Sequence, residues 1–314
     1  MEILTTHTVE PTRANLHGHF SSQLAPIVTI DAGDTVVFRT LDGGWGLEPP
    51  HLDGTPRRLI EPRDKRLDSG HALCGPVAIR GATPGGVLEV RIDALEPGEW
   101  GWTRAGGWKS LVNDWLGVGG GETTFLVWSI DAAKGTARDQ AGREVAIRPF
   151  LGVMGMPPAE SGVHSTIPPR TIGGNMDCKE LVAGSRLFLP IPVRDALFST
   201  GDGHAAQGDG EVSGLAIECP MERAELTFFL RDDLEISGPL AETPAGTVTM
   251  GFGADLDEAT AAALEAMVRV ISSRFGVSRR EALALASVAA DLRVTQIVNQ
   301  TVGVHAVLPK GAIR

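Results

Sequence analysis

The chain has 314 residues, 39 acidic and 28 basic, for a formal net charge of −11 at pH 7. That balance leaves no basic footprint for a phosphate backbone, so nucleic acid is excluded as the expected partner. A hydrophobic fraction of 42% with 21% charged residues describes a globular chain with room for a substantial core. Its apolar runs fall short of the ~20 residues that span a bilayer. Cys74, Cys178 and Cys219 show no CxxC spacing, and the N-terminal MEILTTHTVEPTRANLHG has no signal-peptide pattern. The expectation is a cytoplasmic protein without disulfides or a membrane partner.

Thirty-nine glycines and twenty prolines predict many turns between short strands. Residues 24–40 read as strand, turn and strand around Gly33-Asp34. A long polar loop follows over 42–70, expected to lie over or beside a site. Strand character then recurs at 73–79, 86–95, 123–130, 145–153, 185–193, 212–219 and 223–230. GVGGGE at 117–122 lacks the ending of a phosphate-binding loop and reads as a flexible hairpin or lid.

From Asp255 the apolar period changes to about 3.6, with Leu264, Met267, Val268, Ile271 and Phe275 on one face and Gly276 as the stop. Ser278 and Glu281 have capping-box spacing and open a second helix through ALALASVAADLRV. VGVHAVLPK reads as a return strand. Strands first and helices last predict an α+β class: one domain over 1–314, β-rich through 250, with a helical pair and return strand over 255–314.

The densest chemistry lies in GDGHAAQGDGE, residues 201–211, where Asp202, His204, Asp209 and Glu211 stand among four glycines. Glycine lets the backbone approach a ligand closely, while His, Asp and Glu supply donors for a divalent metal or for proton transfer. GGNMD at 173–177 sets Asp177 in a similar context. Taken alone, such segments read equally as solvated turns. Cys178 adjoins Asp177 but has no neighbouring His in sequence, and reads as a small buried residue.

Longer blocks decide between these readings. HALCGPVAIRGATPGGVLEVRI (71–92), the segment 149–193 containing GGNMD, and GDGHAAQGDGEVSGLAIECP (201–220) together resemble the acetamidase/formamidase family. The resemblance extends from NLHGHFSSQLAPIVTIDAGDTV (15–36) to SVAADLRVTQIVNQTVGVHAVLPK (287–310). It implies a layered β/α/β fold and hydrolysis of a short aliphatic amide to carboxylate and ammonia at a metal centre. His17, Asp177, Asp202 and His204 are the implied ligands, His17 and His71 being carried over from the family pattern, with His71 assigned to catalysis.

Amide hydrolysis needs an activated water, a polarised carbonyl and a proton for the departing nitrogen. Glu211 is the candidate general base and acid, with ligation as its alternative role, and Glu218 is a weaker candidate suited to a buried ion pair. The His and carboxylate mixture favours zinc, with calcium as a candidate second, structural ion. Competing readings are a hydrolase of another C–N bond, in a larger or cyclic amide, and a metal-bearing binding protein without turnover. A homodimer is expected. His7, His164 and His305 read as packing residues, while His19 and His51 stay open. The chain departs from the family pattern at Cys178 and in lacking tyrosine.

Overall fold

Alternating apolar residues lay most of the strands into two large sheets, seen in a computed structural model that describes residues 4–314. The nine-stranded sheet runs Thr6–Val9, Thr35–Thr40, Met221–Arg231, Val87–Pro97, Arg186–Pro190, Leu240–Glu242, Gly246–Gly253, Val302–Pro309 and Asp291–Gln296. The eleven-stranded sheet is centred on Phe198–His204, which is flanked by Phe150–Gly155, Leu73–Ile79 and Glu218–Cys219. Leu73–Ile79 is buried at every position, as an uninterrupted apolar strand must be. The sheets meet through side chains such as Phe198 and Phe228, whose rings pack edge to face at 5.1 Å.

The turn at Gly33, φ 98°, does not close a hairpin. Val28–Ile30 pairs in parallel with Leu73–Ile79, whereas Thr35–Thr40 joins the other sheet beside Met221–Arg231, so the turn carries the chain between sheets. Residues 212–219 contribute only Glu218–Cys219 as strand, and 145–153 divides into Glu144–Ala146 and Phe150–Gly155. Leu111–Trp115 is a short helix capped by Ser110 that periodicity does not announce.

The helical pair is present. Asp255 caps Leu256–Phe275 by accepting from the Glu258 N–H, and Gly276 ends it at φ 64°. The Ser278/Glu281 capping box opens Arg279–Ala289. Met267, Val268 and Ile271 bury the predicted face with Ala282, Ala286, Ala306 and Leu308. Gly251 lets the first helix sit close on its strand, since a Cβ there would strike Ala259 O and Ala263 N. The second helix stops at Ala289, not at Val294. Asp291–Gln296 is instead captured as an edge strand by Val302–Pro309, and ladder pairing overrides the local helical preference. No helix among the described residues is long and apolar enough to cross a membrane.

Candidate metal centre

Strand alternation puts Asp202 and His204, two residues apart on Phe198–His204, on one face of the sheet. On the antiparallel neighbour, Leu151 pairs with Gly203 and Val153 with Gly201, which leaves Gly152 facing Asp202. The missing side chain of Gly152 makes the space in which the site forms. A Cβ there would lie 2.5 Å from Asp202 Oδ2, 2.7 Å from Asp177 Oδ1 and 2.9 Å from His204 Cε1. The Gly152 carbonyl accepts from the N–H groups of Met176 and Asp177, at 3.0 and 3.3 Å, which fixes Asp177 just beyond the strand Gly173–Asn175.

Cross-strand register sets Glu218 opposite His204. Glu211 arrives on a turn whose Gly210 donates to Thr295 O and accepts from Ile297 N, so the C-terminal edge strand holds it. Asp177, Asp202 and Glu211 have φ of 50°, 59° and 47°, left-handed conformations that aspartate adopts more readily than most side chains.

His204 Nε2 lies 3.4 Å from Asp202 Oδ2 and 3.3 Å from Glu218 Oε1. His204 belongs to two ligating groups, one with Asp177 and Glu211 and one with Asp202 and Glu218, in each of which the donor atoms lie within 4.8 Å of one another. All five side chains are buried. Asp177 Oδ1 and His204 Nδ1 are fully buried with no hydrogen-bond partner among the described residues. Buried polar atoms are rarely left so, and four carboxylates about one imidazole are costly without a counter-charge. A divalent cation satisfies both requirements, and the mixed nitrogen and oxygen donors suit zinc chemistry.

The proton affinities reflect the same crowding. Burial pushes the Asp177 carboxyl well up, reinforced by Glu211. Burial also carries Glu211 up to about 8, with His204 opposing and Glu218 and Asp202 adding repulsion. Burial raises Glu218 too, against the pull of His204. Asp202 is driven down, because His71 and His204 outweigh its burial. His204 is driven up, because Glu218 and Asp202 outweigh its own. Without a cation the cluster holds protons in its place.

A cavity of about 740 Å³ opens above the cluster, with Asp202, Glu211 and Glu218 at its floor. Trp45, Arg63, Asp64 and Gly70 from the 42–70 loop form one wall, so that loop borders the site. His71 lines the cavity too, its Nδ1 2.9 Å from Thr166 Oγ1 and its Nε2 4.0 Å from Asp202 Oδ2. His17 is placed differently. Its Nδ1 donates to His19 O at 2.7 Å and its Nε2 accepts from Ser199 Oγ at 2.9 Å, so both nitrogens are used and it joins neither ligating group. Burial lowers its pKa to about 4.

Asp209 pairs with Lys179 at 2.9 Å rather than entering the cluster. Cys178 is fully buried, and that burial pushes its thiol up to about 12, which leaves it inert. Asn299 belongs to the site although nothing in its sequence context marks it. Its Nδ2 donates to Asp177 Oδ2 at 2.6 Å and to Glu211 Oε2 at 3.2 Å, tying the two acids together.

Comparison with known proteins bears on the family and the fold. Residues 3–165 and 159–312 match the profile of the Acetamidase/Formamidase family. A formamidase of Methylophilus methylotrophus is 25% identical over 252 residues, covering 63% of this chain and 60% of that protein. An acetamidase of Mycolicibacterium smegmatis is 28% identical over 215 residues, 48% of this chain and 51% of that one. This chain thus spans less than two thirds of the length of either protein. The crystal structure of an acetamidase from Bacillus halodurans superposes with a TM-score of 0.82 at 26% identity, covering 96% of this chain and 97% of the other. The chain belongs to the acetamidase/formamidase family.

Proposed function

We propose that this protein is a metal-dependent amidohydrolase that cleaves a carboxamide of the formamide and acetamide class to a carboxylate and ammonia. The observation that carries the reading is the buried cluster at the cavity floor, with Asp177 Oδ1 and His204 Nδ1 left without partners among the described residues. Asp202, His204 and Glu218, one of the two groups whose donor atoms converge, hold the ion, with Asp177 beside them. When bound, a divalent cation supplies Lewis acidity toward the carbonyl oxygen and acidifies a water.

Glu211 takes the water's proton and returns it to the nitrogen as the C–N bond breaks, so that ammonia leaves. Its place among the cavity-lining residues suits a group that must both accept and give a proton. Asn299 restrains the carboxylates of Glu211 and Asp177 through its amide. His71, steadied by Thr166, presents its ring to the substrate side of Asp202. A spare carboxylate beside a ligating set is what hydrolysis requires and binding alone does not.

The test is Glu211→Gln. Turnover should fall by about two to four orders of magnitude, the usual share of general acid–base catalysis, with metal content near wild type. Reduced metal content with partial rescue by added metal would make Glu211 a ligand instead. Wild-type rate and occupancy together would exclude both roles. The same reading takes zinc as the ion, the layered β/α/β domain over 1–314, a cytoplasmic setting and a homodimer. Elemental analysis and light scattering of the purified protein check the ion and the assembly.

A further inference from the structure

The cavity is far larger than formamide or acetamide needs. A water occupies about 30 Å³ in the liquid, so an amide of four heavy atoms fills on the order of 100 Å³. The cavity measures about 740 Å³ and so belongs with sites that enclose larger ligands. Its charge is also mixed. Asp202, Glu211 and Glu218 line it at the cluster, Glu61, Asp64 and Asp68 alternate with Arg63 and Lys65 along the 42–70 loop, and Arg104 lines it as well.

Two of these cations, both exposed, form no close ion pair, although Glu218 attracts Arg104 from a longer distance. Among the described residues neither Lys65 nor Arg104 lies within 4.0 Å of a carboxylate, and neither donates a hydrogen bond to the protein. The Arg104 guanidinium is nevertheless held in place, 4.9 Å from the Trp108 ring centroid and 5.9 Å from that of Trp102. Its neighbour Arg57 is already neutralised by Asp42 at 2.5 Å and donates to Gly44 O. Of the acids on the same wall only Asp68 is closely paired, with Arg13, whereas Glu61 and Asp64 keep their charge and accept backbone N–H groups, Glu61 that of Arg63 and Asp64 those of Arg66 and Leu67.

We propose that the preferred substrate is an amide whose acyl chain ends in a carboxylate, with the amide seated against the floor and the carboxylate on Arg104 and Lys65. This deepens the amidohydrolase reading and rests on it. The acidic residues of the cluster repel the substrate's anion while the unpaired Arg104 guanidinium attracts it, which favours the amide end at Glu211. Arg104 suits the task because its planar fork matches a carboxylate and stacks on indole. Formamide and acetamide then act as fragments that engage the floor alone.

The experiment compares succinamate, glutaramate and adipamate with butyramide, valeramide and hexanamide, their neutral counterparts of equal length. Wild type, Arg104→Met, Arg104→Lys and Lys65→Met are assayed for ammonia release, and binding of each compound is followed by calorimetry. One member of the acidic series should exceed its neutral counterpart in kcat/KM by about tenfold or more, the scale of one charge-assisted hydrogen bond. Arg104→Met should erase that ratio, and Arg104→Lys should keep part of it. Equal or better turnover of all the neutral amides, or a ratio unchanged in Arg104→Met, overturns the anion site and leaves the hydrolase standing. Arg104-dependent binding without hydrolysis of any amide supports the anion site and overturns the hydrolase. Neither binding nor hydrolysis overturns both.

Discussion

Gly152→Ala adds one methyl group at the point where the site is most crowded. Gly152 has no left-handed φ, so alanine meets no backbone strain there, and the perturbation is confined to what the Cβ touches. Ordinary contact begins near 3.4 Å, whereas this Cβ would stand 2.5, 2.7 and 2.9 Å from Asp202, Asp177 and His204. These groups must retreat by roughly 0.5 to 0.9 Å, several times the ~0.2 Å tolerance of a metal–ligand distance. A misplacement of about 1 Å costs on the order of a hundredfold in rate. Gly152→Ala should therefore lower metal content to a small fraction of wild type and ammonia release by at least about a hundredfold. Gly208→Ala, where a Cβ meets nothing within 4 Å, should leave both unchanged. Elemental analysis and the amide assay on the same preparations decide the matter. Wild-type metal content and rate in Gly152→Ala would refute the placement of the ion beside these three side chains.

Asn299→Ala removes the amide that bridges Asp177 and Glu211, and should lower kcat by about tenfold while KM changes little, as expected for a residue that positions the acid and base. An unchanged kcat would make the bridge incidental. Stability should fall on acidification, because burial depresses His17 and His305 to about 4, below their unfolded value near 6.5. Both are neutral in the folded chain over that window while the unfolded chain binds protons. Their contribution is full above about pH 6.5 and is lost as pH falls to about 4, up to about 3 kcal/mol for each. Urea unfolding of wild type and His305→Gln at neutral pH and at pH 5 reads this directly, and an equal loss in both would contradict it.

The helical pair was legible because its signals are local: the 3.6 period, the Asp255 cap, the Ser278/Glu281 box and Gly276. Asp177, Asp202, His204 and Glu211 stood out as candidates for a related reason, since the glycines around them mark the segments. What sequence could not show depends on distant pairing. Asn299 reaches the site only because the edge strand docks on Gly210, and the role of Gly152 appears only once its strand is in register with Phe198–His204. His17 shows the converse. Its family-like context marked it as a ligand, but the His19 carbonyl and the Ser199 hydroxyl occupy its nitrogens.

The central claim is that amide hydrolysis here depends on an ion held by the buried cluster. The most direct measurement is ammonia release from formamide, acetamide and the longer amides by one preparation as purified, after chelation and dialysis, and after zinc is restored, with metal content determined at each stage. Activity that disappears with the metal and returns in proportion to reloaded zinc is the predicted result. Full turnover by protein shown to be metal-free would contradict the account.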